Sequence, residues 1–181
     1  WVQRYDVHRH LQSMHTTDSN NELAREPWLS WIMHQSRNWT LITEDRSYGK
    51  PVINEEFYYE NSGAGKTHAH HVAAATLRQG AWKLMTSGAS GLAYGNTGTY
   101  NSRSKPFVGL EYVESAGAWF LKHLHGFWST RAYGRMMPQG ESVTADPGRH
   151  YVAYLEQGGE RALELPSGEY RWRWFNPRDG S

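Results

Sequence analysis

Short runs able to form β-strands alternate along this chain with polar loops and helix-like stretches, and this alternation constrains its fold more than any other feature. The runs cover residues 11–15 (LQSMH), 29–35 (LSWIMHQ), 51–56 (PVINEE) and 91–94 (GLAY). Strands separated by helices pair in parallel in a sheet that the helices cover, so the predicted class is α/β. The strongest helix signal lies between the third and fourth runs. There Val72, Ala73, Leu77, Ala81 and Leu84 overlap a second stripe of Val72, Ala75, Gln79 and Trp82, both at the helical period. Ser87 and Gly88 are its predicted stop, since glycine after the last periodic residue is a C-terminal cap signal. A closing helix is predicted over 114–129, with Ala118, Leu121, Leu124 and Trp128 on one face.

After Pro138 the pattern changes. YVAYLEQ, RALELP and YRWRWF are short alternating runs separated by glycine-containing turns, as in antiparallel β structure. The predicted division is therefore an α/β unit over 1–137 and the start of an antiparallel, sandwich-like β-domain over 138–181. Four β/α units amount to half of a (β/α)8 barrel, and a half barrel leaves two sheet edges in need of partners. The other half is expected upstream in the same polypeptide. A first residue of Trp1, and a last stretch NPRDGS just after a strand-like run, also read as a piece of something longer.

Composition removes several functions. In 181 residues there are 19 basic and 18 acidic side chains, so the chain lacks the basic footprint of a nucleic-acid partner. No run approaches the roughly 18 apolar residues of a membrane span. With no cysteine, disulfides and thiolate metal sites are excluded, although the compartment stays open.

The chemistry concentrates in KPVINEEFYYEN, which brings Glu55, Glu56 and Glu60 together with Asn54, Tyr58 and Tyr59 at the C-terminal end of a predicted strand. In a barrel that end faces the active site. Side chains alternate along a strand, so Val52, Asn54 and Glu56 share one face and Glu55 points away. Glu56 is thus the better catalytic candidate. His15, closing the first run, and His34 with Gln35, closing the second, are placed to line a pocket. GLAYGNTGTYNS adds Tyr94, Asn96, Thr97, Tyr100 and Asn101, the mixture of aromatic faces, amides and hydroxyls that sugars require. Trp31 and Trp39 fit core positions better than sugar platforms. NSGAGKT has the look of a phosphate-binding loop, but Glu60 stands where that pattern needs its first glycine, and a carboxylate there repels phosphate. His8 with His10, and His68, His70 and His71, invite a metal, yet nothing in their placement makes them converge.

Taken in order, PVINEEFYYE, AWKLMTSGASGLAYGNTGTYNS, ESAGAWFLKHLHGFW and YVAYLEQGGERALELPSGEYRWRWFNPRDG resemble the apiosidase-like glycoside hydrolases, bacterial (β/α)8 enzymes followed by a small β-domain often labelled collagen-binding. The resemblance covers nearly the whole chain. It implies that the four units are strands five to eight of the barrel and that Glu56 is the strand-seven catalytic carboxylate. Glu60 would be a pocket or supporting group, with Asn54, Tyr59, His15, Gln35, Tyr94 and Asn96 lining the sugar site. The sequence departs from the family where Glu55 replaces a small residue and Phe57 a proline.

Glycoside hydrolysis uses two carboxyl groups. The family takes the other from an earlier strand, so this stretch alone is expected to be inactive, with Asp18, Glu22 and Glu26 as weak substitutes. Polysaccharide or its side chains would be the substrate, without cofactor or metal, in a secreted or periplasmic setting. Two other readings stand beside this one: a non-catalytic carbohydrate-binding or cell-surface module, and a metal-dependent barrel hydrolase built on the histidines.

Overall fold

The computed structural model describes residues 2–15, 22–61, 70–100 and 114–181. It opens with a short helix α1 (Val2–Tyr5) and a parallel sheet in which β1 (Ile32–His34) and β5 (Gly91–Leu92) flank β2 (Val52–Asn54). The register pairs Ile32 with Val52, His34 with Asn54 and Asn54 with Leu92. There is also a second small parallel sheet. In it β3 (Tyr59–Glu60) lies between β4 (His71–Val72) and β6 (Gly95–Asn96). Helices α2 (Trp39–Arg46) and α3 (Ala74–Thr86) make the connections, α4 (Thr97–Tyr100) is a single turn, and α5 (Ala116–Ser129) packs along α3. The parallel α/β arrangement expected from the alternation is present.

Its core is a contiguous apolar cluster. Ile32 and Val52 from the sheet meet Ile42 of α2, Phe57, and Leu77, Ala81 and Leu84 of α3, all fully buried. Each large side chain so placed contributes about 1.5–3 kcal/mol of burial free energy. Of the predicted stripes, Leu77, Ala81, Trp82 and Leu84 are buried while Ala73 and Ala75 at the helix start are exposed, and the helix stops at the predicted position. Ser87 caps it and Gly88 takes φ +100°, a conformation that glycine adopts without steric cost. A Cβ at Gly88 would meet Pro138 Cγ at 2.6 Å, so the same glycine lets the later chain close against the helix end.

Trp82 binds this layer to the rest. Its ring lies 5.0 Å from Phe127 and 6.2 Å from Trp128 of α5, 5.8 Å from Tyr154 and 5.5 Å from Phe175. Lys83, one residue on, pairs with Glu156 at 2.5 Å. Residues 137–153 form an antiparallel sheet in which β8 (Val143–Asp146) pairs with both β7 (Met137–Pro138) and β9 (His150–Ala153).

Three expectations differ from the structure. Residues 11–15 form no strand: Gln12 N–H bonds to the Ser30 side chain instead of entering a ladder, and Leu11 is exposed. The RALELP and YRWRWF runs also form none. Alternation gives a strand two usable faces, but a strand exists only with a hydrogen-bonded neighbour, and these runs have none here. Finally, the side chain of His34 does not line a pocket; it is fully buried, with Nε2 2.5 Å from Oδ2 of Asp45 on α2. Among the described residues no helix is long and apolar enough to cross a membrane.

Candidate active site

The ends of β1 and β2 are pinned together by one amide. Asn54 is fully buried, donates from Nδ2 to the Ser36 carbonyl at 2.7 Å, and accepts the Glu56 N–H on Oδ1 at 3.2 Å. Its own side chain is therefore committed to main chain, and what it does is shape the turn that presents the next two residues. Glu55 emerges exposed, its N–H bonded back to the His34 carbonyl. Glu56 turns to the half-buried side, as the strand alternation predicts.

Both Glu56 oxygens have donors. Tyr59 O–H donates to Oε1 at 2.5 Å and the Gln35 amide to Oε2, in a short contact. The remaining hydrogen of that amide faces His15 Nε2 at 2.7 Å, which makes this histidine nitrogen the acceptor. Gln35 comes from just after β1 and Tyr59 from β3, so residues from three segments converge on one carboxylate. The ring of Tyr59 is seated by its neighbours. Gly95 lies against it so closely that a Cβ would come 2.5 Å from Cδ1, and His71 meets it edge-on at 5.5 Å between centroids.

Four residues after Glu56 a second carboxylate has a different setting. Glu60 is buried, and its Oε2 accepts from Tyr94 O–H at 2.5 Å and from Ser115 Oγ at 2.6 Å. Its Oε1 accepts the Gly117 N–H in the first turn of α5 at 3.0 Å, where the helix dipole favours negative charge. Asn96 donates to Tyr94 O–H at 2.9 Å while its Oδ1 caps the Gly98 N–H at the start of α4. Burial, above all, holds the Tyr94 phenol above its ordinary pKa, and acceptance by Glu60 adds to that, so it stays a donor.

The candidate residues thus divide into two groups. His15, Gln35, Asn54, Glu56 and Tyr59 form one; Glu60, Tyr94 and Asn96 form the other, and the structure joins the second to Ser115 and Gly117. Those last two went unnoticed in the sequence. Ser115 had a readable signal, a helix-capping residue type just before the apolar run of α5.

Trp39 opens α2 and packs on the core, and Trp31 is half-buried. His10 Nδ1 pairs with Asp6 at 2.8 Å, and among the described residues no group of three His, Cys, Asp or Glu side chains could hold a metal ion. Glu22 and Glu26 are exposed. Asp18, His68, Asn101, the phosphate-loop-like stretch from Ser62 to Thr67 and the Tyr100 side chain lie outside the described residues.

Comparison with known proteins adds two findings. The family model described as "Apiosidase-like, catalytic domain" matches residues 2–138. Among solved structures, a glycoside hydrolase family 5 protein from Bacteroides vulgatus ATCC 8482 superposes with a TM-score of 0.51 at 18% identity, over 69% of this chain and 34% of that one. Another, described as a glycoside hydrolase, gives 0.50 at 21% identity, over 69% and 36%. At such identities the likeness is one of fold, and this chain spans about a third of either protein. No curated protein matches it.

Proposed function

Because this chain belongs to the apiosidase-like glycoside hydrolase family, we propose that it contributes to hydrolysis of a glycosidic bond, with Glu56 as a catalytic carboxylate, nucleophile or base. One observation carries the assignment: Glu56 is the half-buried carboxylate at the C-terminal end of β2, held on both oxygens by Tyr59 and Gln35 from other segments. An ionised carboxylate has about four acceptor directions. Two donors orient it and leave the others for a sugar carbon or an attacking water. Asn54 shapes the turn behind it, and His15 fixes the Gln35 amide through its second hydrogen.

In this reading β1, β2 and β5 are strands of a (β/α)8 barrel, within the stretch assigned to strands five to eight, and the β-domain starts near residue 138. The solved glycoside hydrolases with the same fold over a third of their length support that frame. The second carboxyl group that the chemistry needs would come from another strand of the barrel. Carbohydrate, most simply a polysaccharide or its side chains, is the substrate class, in a secreted or periplasmic setting.

The test is Glu56→Gln in the enzyme expressed from its whole coding sequence, scored on a panel of aryl glycosides. Turnover should fall at least about a thousandfold while the melting temperature changes little. Activity close to wild type in a folded variant would sink the assignment.

A further inference from the structure

Three residues separate the two carboxylates, and the geometry points to a mechanical link between them. We propose that Glu60 is a positioning residue: by fastening the start of α5 to β3, it holds the Tyr59 hydroxyl on Glu56. The inference rests on the reading of Glu56 as catalytic.

Four features of the structure carry it. Glu60 is 5% exposed and has three donors on two oxygens, one of them a main-chain N–H in the first turn of a 14-residue helix. Bonds of this kind, to an ionised acceptor, are shorter and stronger than neutral ones. The helix has also been shaped around the group, because a Cβ at Gly117 would lie less than 3.0 Å from Glu60 Oε2. The main chain of Glu60 is held as well, its carbonyl accepting from Thr97 Oγ1 at 2.9 Å. The strand bearing both residues is only two residues long, Tyr59 and Glu60, so its ladder has few bonds with which to fix its position.

From there the path to Glu56 is short. Tyr59 is adjacent in that strand, and its hydroxyl stands at the far end of a rigid ring seated against Gly95 and His71. A phenol has two side-chain torsions and no flexible stem. A shift of β3 therefore carries the ring with it, and the hydroxyl is one of the two donors that orient Glu56. A displacement of about 1 Å at a reacting group is enough to cost on the order of a hundredfold in rate.

Double-mutant kinetics test the link in the enzyme expressed from its whole coding sequence, on a para-nitrophenyl glycoside that the wild type hydrolyses. Tyr59→Phe and Glu60→Gln should each lower kcat by about 10- to 100-fold with KM within about twofold, the signature of lost orientation rather than lost binding. In the Tyr59→Phe background, adding Glu60→Gln should cost less than about threefold, because residues acting through one contact are not additive. Ser115→Ala removes one of the three donors, should give a smaller fall of the same kind, and serves if Glu60→Gln does not fold. Independent, multiplicative losses in the double variant, or a loss expressed in KM alone, would overturn the link. Retained turnover in Glu56→Gln is a separate outcome, which overturns the assignment of Glu56 itself.

Discussion

Glu56 and Glu60 are four residues apart on one continuous segment, yet they are held in different ways. Glu56 is half-buried and touched by an amide and a phenol, both of them side-chain donors. Glu60 is enclosed, and one of its donors is the backbone of a helix. A carboxylate that must meet a substrate keeps acceptor directions open; a carboxylate that ties two elements together has them filled. Under the proposed function, this contrast would let one acidic motif supply both a reactive group and the brace beside it.

Stability measurements break or sharpen this contrast most directly. Glu60→Ala removes the acceptor of three donors, the buried Gly117 N–H and the half-buried Tyr94 and Ser115 hydroxyls, and should cost about 3 kcal/mol of unfolding free energy, whereas Glu56→Ala should cost no more than about 1 kcal/mol. Urea titration of the two variants of the protein expressed from its whole coding sequence compares them, and equal losses would erase the distinction. Gly117→Ala keeps every donor but drives a methyl group into the Glu60 carboxylate, and should cost about 1–3 kcal/mol by overpacking. If it proves neutral, the helix start is less tightly fitted than the distances say.

The smallest effect concerns a buried group that must stay neutral. Tyr133 O–H lies 2.5 Å from the Met85 carbonyl and also contacts that of Ala89, and burial raises its pKa well above the ordinary 10.0. With the folded value above the unfolded one, the contribution to stability is complete below pH 10 and is lost as the pH rises beyond it. Tyr133→Phe should therefore cost about 1 kcal/mol near neutrality and flatten the alkaline decline, as read from melting temperatures across pH 8 to 12. Part of the decline should persist, since burial, with Glu156 adding, pushes Tyr154 up to about 12.

Sequence reasoning reached different parts of this molecule unequally. The face of α3 and its stop at Gly88 were legible because both depend on local periodicity and backbone preference. That Glu55 is exposed and Glu56 half-buried was legible for the same reason, through the alternation of Val52, Asn54 and Glu56. The bonds from Ser115 and Gly117 to Glu60 were not: they cross 55 and 57 residues, and no local pattern marks which distant helix will place its first turn on a given acid. His34 was misjudged because a histidine at a strand end has the same local signature whether it faces a pocket or, as here, an aspartate on the covering helix. Residues 11–15 show the limit of periodicity: the pattern was there and the ladder was not.

The missing Cβ of Gly117 has one more consequence, for how this protein can change over generations. A new side chain at 117 collides with the carboxylate, while shortening the acid at 60 strips three donors of their acceptor. Neither residue should be replaceable alone without weakening the fold. A lineage can leave this pair of residues only through a weakened ancestor or by two nearly simultaneous mutations, and the order of those steps is then written into its descent.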